Sequence, residues 1–166
     1  MRKSTKPEKT KQLFVIAHNI RSLHNVGSIF RTADSFGVSK LFLTGYTGVP
    51  VGKNVDKIGK VALGAETFVP WEQNKSLVRL VKKLRSEFPG IRIAALENNI
   101  PFKTVLLQTY KPKFPMALIL GEETKGNTKK ILNLVDDILE IPMSGQKESL
   151  NVSVAAGVAL YALRSK

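Results

Sequence analysis

The chain alternates short apolar runs with segments of helical periodicity, and this alternation restricts its possible folds more than any other feature. Five runs of four to six residues predict buried strands, at 13–17, 40–44, 91–96, 116–120 and 138–141. A shorter strand is predicted at 67–69, just before Pro70. Strands that alternate with helices within one domain predict a parallel α/β sheet.

Apolar residues at helical spacing predict the helices between these strands, at 25–36, 55–63, 74–88, 129–135 and 152–163. Asn25 is a favoured capping residue and Gly37 a favoured stop, so these two residues define the first helix. The last helix is apolar on nearly every side, and it is therefore predicted to be buried.

Composition restricts the chemistry that the chain can perform. Its 166 residues are enough for one domain with a substantial core. The absence of cysteine excludes disulfides, thiolate zinc sites and a cysteine nucleophile, and two histidines are too few for a histidine-rich metal cluster. No segment has the pattern of a signal peptide, and the longest apolar run is too short to cross a bilayer. We therefore expect a cytoplasmic protein with neither a metal site nor a membrane anchor.

The charge balance favours an anionic partner. The chain has 26 basic and 13 acidic residues, a net charge of +13, and an isoelectric point near 10.1. Counterion release favours the binding of such a protein to nucleic acid, whereas solubility alone is the alternative explanation. Residues 1–12 hold five basic side chains and one acid, and they are predicted to form a flexible arm that grips RNA or is simply solvated. Residues 13–166 are predicted to form the one folded domain.

A polar turn that is rich in glycine follows the apolar run at 116–120. Gly121 and Gly126 have the spacing of a phosphate-binding P-loop, but Asn127 stands where that motif needs lysine. The adjacent carboxylates of Glu122 and Glu123 would also repel a phosphate. The turn therefore suits a ligand with hydroxyls, amines or positive charge, at the strand end where open α/β sheets bind ligands. A plain strand-to-helix turn with solvated acids is the alternative.

Polar residues also stand at two predicted helices. The Ser-Leu-Asn step at 149–151 precedes the last helix, whose unpaired N–H groups can hold a polar ligand or orient a hydroxyl. Capping of that helix is the alternative. Arg31 lies six residues after Asn25, and its planar guanidinium can bind a phosphate, although an ion pair with Asp34 is equally compatible with the spacing.

Three motifs in the same order resemble those of the SpoU, or TrmH-like, RNA ribose methyltransferases of the SPOUT class. The first, N-x-G-x-x-x-R-T-A-D, is matched by Asn25, Gly27, Arg31, Thr32, Ala33 and Asp34. The second, L-G-x-E-x-x-G, is matched by Leu120, Gly121, Glu123 and Gly126. The third, I-P-M followed by S-L-N-V-S, is matched by Ile141, Pro142, Met143 and residues 149–153. Each motif alone is weak, but three in order are specific.

The resemblance implies a doubly wound, mostly parallel α/β fold whose C-terminal part is threaded into a trefoil knot. It also implies a homodimer with active sites near the interface, where the small residues at 155–157 and 159 would suit close helix packing, although they suit an ordinary core equally. The implied cofactor is S-adenosyl-L-methionine, bound in the knot by loops that contain Leu96, Gly121, Gly126, Ile141, Met143 and Leu150.

The implied reaction is methyl transfer from this cofactor to a ribose 2′-hydroxyl of RNA, with tRNA placed slightly ahead of rRNA. In the family, the residue that matches Arg31 is assigned to activating the hydroxyl. Because a free guanidinium is very hard to deprotonate, we interpret Arg31 mainly as a clamp on the adjacent phosphate, and as a base only if the site makes its deprotonation much easier. The residues implied to orient Arg31, the RNA and the loop are Asn25, Glu123, Ser149 and Asn151.

Two alternatives to this interpretation stay open. Glu122 stands where the family commonly has small or amide residues, so it competes with Glu123 for the role of the motif glutamate. A non-catalytic RNA-binding protein with the same fold is the alternative function. A nucleotide-dependent α/β enzyme is disfavoured because the P-loop lysine is missing.

Overall fold

The computed structural model describes residues 11–165 and contains one sheet of seven strands, all paired in parallel. The strands are β1 (Leu13–His18), β2 (Lys40–Thr44), β3 (Trp71–Asn74), β4 (Arg92–Leu96), β5 (Val105–Leu106), β6 (Met116–Leu120) and β7 (Asp137–Glu140). Their order across the sheet is β3-β2-β1-β6-β4-β7-β5. Most of the predicted basic arm, at 1–10, lies outside the described residues.

Helices cover both faces of this sheet, which confirms the doubly wound α/β fold. They are α1 (Leu23–Ser35), α2 (Val55–Ala62), α3 (Ala65–Phe68), α4 (Leu77–Glu87), α5 (Lys129–Leu132) and α6 (Val152–Arg164). One core cluster packs α1, α2, α3 and α6 against one face of the sheet, and a second packs α4 and α5 against the other. The central strands β1 and β6 are buried on both sides, which explains their uninterrupted apolar sequences. The trefoil knot stays a prediction.

Several predicted boundaries were wrong, and local contacts explain them. The strand predicted at 67–69 is instead part of the single helical turn α3, which starts after Gly64 at φ 91° and is closed by Val69 N–H donating to Ala65 O. The strand follows Pro70, where Trp71 pairs with Leu41. The β-propensity of residues 67–69 was therefore too weak to decide their structure, and the edge strand forms where the chain pairs with β2.

Capping was also assigned to the wrong residue at the first helix. Ser22, not Asn25, caps α1, and its hydroxyl accepts a hydrogen bond from Asn25 N–H at 3.2 Å. α4 begins at Leu77 rather than at 74, because Asn74 still pairs with Thr44 in the sheet. α5 is one turn long instead of reaching residue 135, and the edge strand β5 has too few residues to give a periodic signal.

α1 and α6 pack side by side and run in the same direction. Asn25 and Asn151 meet at their first turns, and Arg164 Nε donates to Phe36 O at their last turns, over 2.9 Å. Between these ends the two helices pass at Gly157 and Thr32, where a Cβ on the glycine would make an ordinary van der Waals contact of 3.8 Å with the Thr32 side chain. The start of each helix is thereby placed beside the start of the other.

α6 is not buried on every side, contrary to the prediction. Its inner face is buried, through Ala156, Ala159, Leu160 and Leu163. Its outer face exposes three apolar side chains at helical spacing: Val154 is 52% exposed, Val158 40% and Tyr161 64%. No helix within residues 11–165 is long and apolar enough to span a membrane.

Candidate functional site

A pocket of about 570 Å³ lies at the carboxyl edge of the sheet, between the loops that follow β4, β6 and β7 and the start of α6. All six residues predicted to bind a cofactor line it: Leu96, Gly121, Gly126, Ile141, Met143 and Leu150. Glu123, Ser149 and Asn151 line it as well. The structure thus brings the second and third motifs together around one cavity whose volume suits a small ligand.

The two glycines of the turn after β6 cannot be replaced without a clash. A Cβ at Gly121 would lie 2.7 Å from the carbonyl carbon of Gly126 and 2.8 Å from Asn127 N. Gly126 has φ +61°, in the left-handed region, and a Cβ there would lie 2.5 Å from a carboxylate oxygen of Glu97. The glycines therefore let the backbone fold back on itself at the wall of the pocket.

Two polar residues of the pocket, Glu97 and Asn98, were not predicted from the sequence. Glu97 Oε2 accepts hydrogen bonds from Asn127 N–H at 2.6 Å and from its side-chain Nδ2 at 3.2 Å. Asn98 donates to Ile141 O and accepts from Ile141 N–H, which ties the loop after β4 to the loop after β7. The available signal was positional, because Glu97 and Asn98 directly follow a buried strand at its carboxyl end.

The carboxylate of Glu123 joins the turn after β6 to the start of α1. It accepts hydrogen bonds of 3.1 Å from Arg21 N–H, from Ser22 N–H and from the side-chain Nδ2 of Asn25. Burial raises the pKa of Glu123, but these hydrogen bonds outweigh burial and hold the pKa below its usual value. The carboxylate is therefore ionised at neutral pH and fixes the position of the first motif.

Glu122 and Glu123 have different partners, which separates their roles. Glu122 accepts from the hydroxyl of Thr124 at 2.9 Å. Partial burial and a hydrogen bond with Glu122 raise the pKa of Tyr46, on the neighbouring β2–α2 loop. Of these two glutamates, only Glu123 accepts a hydrogen bond from Asn25. The geometry therefore assigns the contact with the first motif to Glu123 rather than to Glu122.

Asn25 and Asn151 connect the first motif to the third. Asn25 is 7% exposed, and its Oδ1 accepts from Asn151 Nδ2 at 3.2 Å. Asn151 Oδ1 in turn accepts from Ser153 N–H at 2.9 Å and from the Ser153 hydroxyl at 2.7 Å. Asn151 therefore caps α6, as the simpler alternative proposed, and also binds Asn25. Ser149 lines the pocket, and its role stays a prediction.

Arg31 is not brought into this pocket within the chain. It is exposed on α1 and lines a separate groove together with residues of α2. The ion pair with Asp34 that its spacing allowed is not formed, and its guanidinium has no hydrogen-bond partner in the described part of the chain. The predicted site is therefore divided between a pocket and a neighbouring groove. Across residues 11–165, no group of three or more histidine, aspartate or glutamate side chains could hold a metal ion.

Comparison with known proteins agrees with these motifs. A family model described as the SpoU rRNA Methylase family matches residues 12–161. The 23S rRNA (guanosine-2′-O-)-methyltransferase RlmB of Vibrio parahaemolyticus is 30% identical over 151 residues, which are 90% of this chain and 57% of that protein. The chain thus spans little more than half the length of such curated relatives.

Two crystal structures share the fold. The TrmH/SpoU tRNA modifying enzyme of A. aeolicus superposes with a TM-score of 0.79 and 29% identity, covering 94% of this chain and 76% of that one. The AdoMet-bound rRNA methyltransferase of Sinorhizobium meliloti superposes with a TM-score of 0.81 and 24% identity, covering 97% of this chain and 58% of that one. The second likeness, at its lower identity, establishes the fold alone.

Proposed function

The chain belongs to the SpoU rRNA Methylase family, and from this premise we propose that it transfers a methyl group from S-adenosyl-L-methionine to a ribose 2′-hydroxyl of RNA. The observation that carries the proposal is the hydrogen-bonded series Glu123–Asn25–Asn151, which joins three motif segments at the rim of one pocket. Each of these three segments carries one of the three motifs, so their convergence at one pocket supports a single shared site.

The pocket residues fit this cofactor better than they fit a nucleotide. Glu97 and Glu122 add carboxylate oxygens to the wall near Glu123, and such oxygens accept from hydroxyl and ammonium groups but repel phosphate. S-adenosyl-L-methionine carries ribose hydroxyls, an ammonium group and no phosphate. The glycines of the turn leave main-chain groups, rather than side chains, at the wall where a ligand binds. When bound, the cofactor supplies a methyl group on a positively charged sulfur.

The chain's own residues position the RNA and the loops. We assign to Arg31 the phosphate next to the target nucleotide, because its guanidinium is exposed and unpaired within the described residues and matches phosphate geometry. Glu123, Asn25 and Asn151 hold the starts of α1 and α6 in register with the pocket. Ser149, at the mouth of α6, orients the ribose. Holding the hydroxyl in place lowers the entropic part of the barrier.

A second copy of the chain is the proposed partner besides RNA. The outer face of α6 exposes Val154, Val158 and Tyr161 in one stripe, beside α1 and near the site. A contiguous apolar stripe at the surface of a strongly basic protein is typical of an interface. In a homodimer built on this face, the α1 that carries Arg31 would also lie close to the interface.

The proposal is tested by incubating the protein with radiolabelled S-adenosyl-L-methionine and, separately, a tRNA pool and an rRNA pool. Names of similar proteins divide between rRNA and tRNA, so both substrates are needed. We expect label in one pool, and a strong loss of rate in Arg31→Lys, because lysine lacks the planar fork. RNA binding with no label in either pool would favour the non-catalytic alternative, and a full rate in Arg31→Lys would contradict the clamp.

A further inference from the structure

A basic groove lies between α1 and α2, outside the pocket. It has a volume of about 620 Å³ and is lined by Leu23, His24, Arg31, Lys57, Lys60, Val61 and Leu63. The groove shares no lining residue with the pocket described above. We call it the α1–α2 groove.

The groove gathers three cations from two helices, and none of the three has an acidic partner within the described residues. No carboxylate lines it, and the side chains of Arg31, Lys57 and Lys60 make no ion pair within residues 11–165. By contrast, Lys40 and Arg92 bind carboxylates at 2.6 Å and 2.8 Å. The acids nearest in sequence on α1, α2 and α3, at 34, 56 and 66, do not line the groove.

The arrangement of these charges would itself be unfavourable without an anionic partner. Lys57 and Lys60 are three residues apart on α2, so they lie on one face of the helix and repel each other. Arg31 approaches the same groove from α1. A polyanion with regularly spaced charges relieves this repulsion, whereas one small anion leaves part of it in place.

We propose that the α1–α2 groove binds the sugar–phosphate backbone of the substrate RNA, with Lys57, Lys60 and Arg31 contacting phosphates. The inference rests on the proposed function and extends it by naming the surface along which the RNA runs. Leu63, which is 66% exposed, and Leu23 provide apolar surface for a ribose or a base between the phosphate contacts. His24 adds a ring N–H that can donate to a phosphate oxygen.

The test compares two double variants that remove the same charge at the same helical spacing. Lys57→Ala/Lys60→Ala empties the groove of its two lysines, and Arg79→Ala/Lys82→Ala removes two exposed cations of α4, on the opposite face of the sheet. Affinity for labelled tRNA and for a labelled rRNA fragment is measured over a range of KCl concentrations. Binding of S-adenosylhomocysteine and the melting temperature serve as controls for the fold and the pocket.

We expect the groove variant to lose about 10-fold in RNA affinity and to lower the salt slope by about 1 to 2 units, as for two lost phosphate contacts. Its KM for RNA rises while kcat at saturating RNA and cofactor affinity are retained. Equal affinity and slope in the two double variants would overturn the inference. If the wild-type chain methylates neither RNA, the proposed function fails, and the binding comparison still decides whether the groove holds RNA.

Discussion

Asn151 donates a hydrogen bond of 3.2 Å to Asn25 across 126 residues of sequence, and this contact fixes the starts of α6 and α1 against each other. The other partners of the two side chains determine which of them donates and which accepts. Asn25 uses its Nδ2 for Glu123 and therefore offers Oδ1, whereas Asn151 uses its Oδ1 for Ser153 and therefore offers Nδ2. Replacing any one of Glu123, Asn25 and Asn151 should therefore shift the residues that line the pocket.

Replacing Asn151 separates its capping role from its positioning role. Aspartate caps helices as well as asparagine does, but it has no N–H to donate to Asn25. Asn151→Asp should therefore keep its unfolding free energy within about 1 kcal/mol of wild type while its methyl-transfer rate falls. Asn151→Ala should lose both the rate and about 0.5–2 kcal/mol of stability. Equal rates in the aspartate variant and the wild type would show that capping is the only role.

Glu123 makes a stability contribution that depends on pH. Its folded-state pKa lies below the unfolded value of 4.5, so the contribution is fully present above pH 4.5 and is lost as the pH falls through the folded pKa. Glu123→Gln replaces one of the two acceptor oxygens with an NH2 group, which then faces Arg21 N–H or the Ser22 and Asn25 donors, and it should cost about 1–3 kcal/mol at pH 7.

Urea unfolding of the wild type and of Glu123→Gln, measured from pH 7 to pH 3.5, checks this expectation. The difference between the two proteins should shrink at the acidic end. A difference that is constant over the whole range would mean that the charge of Glu123 is not what holds Arg21, Ser22 and Asn25.

Alanine substitution at Gly126 and at Gly37 separates the effect of backbone strain on stability from the effect of a clash on ligand binding. Gly126 and Gly37 both have φ near +60°, but a Cβ at Gly126 would meet Glu97, whereas one at Gly37 would meet nothing within 4 Å. Both alanine variants should lose about 1–2 kcal/mol of stability from the left-handed backbone. Only Gly126→Ala should weaken S-adenosylhomocysteine binding, by about tenfold or about 1.4 kcal/mol. Calorimetric titration that finds equal affinities would place the ligand elsewhere.

The sequence was sufficient for most of the fold and for the residues that share the pocket. The central strands are apolar on both faces, and the motif glycines mark where the chain must turn tightly, so both leave a strong local signal. Glu97 and Asn98 left only a positional signal, because a carboxylate and an amide after a strand otherwise look like an ordinary loop. The edge strand β5 has two residues, too few for any period.

The location of Arg31 could not be inferred from its motif, because the direction of a side chain from a helix depends on what packs around it. α6 was predicted to be buried all round for a similar reason. Its composition specifies an apolar surface, but not whether that surface meets its own chain or a second one.

The exposed face of α6 should hold two copies of the chain together. Tyr161→Glu places a charge in the stripe, and we expect a monomer in light scattering at micromolar concentration, because a buried unpaired charge is strongly unfavourable. Phe68→Glu is the matched control: Phe68 is an aromatic residue that is 74% exposed on a different helix, α3, and its variant should stay dimeric. A dimer that survives Tyr161→Glu would require another interface.

The chemical position of the transferred methyl group tests the central claim most directly. RNA is incubated with the protein and S-adenosyl-L-methionine that carries a deuterated methyl group, digested to nucleosides, and analysed by mass spectrometry. We predict the label on the ribose 2′-oxygen of one nucleotide type, which also makes the adjacent linkage resistant to alkaline hydrolysis. Label on a base, or linkages at the labelled nucleotide that alkali still cleaves, would contradict the account.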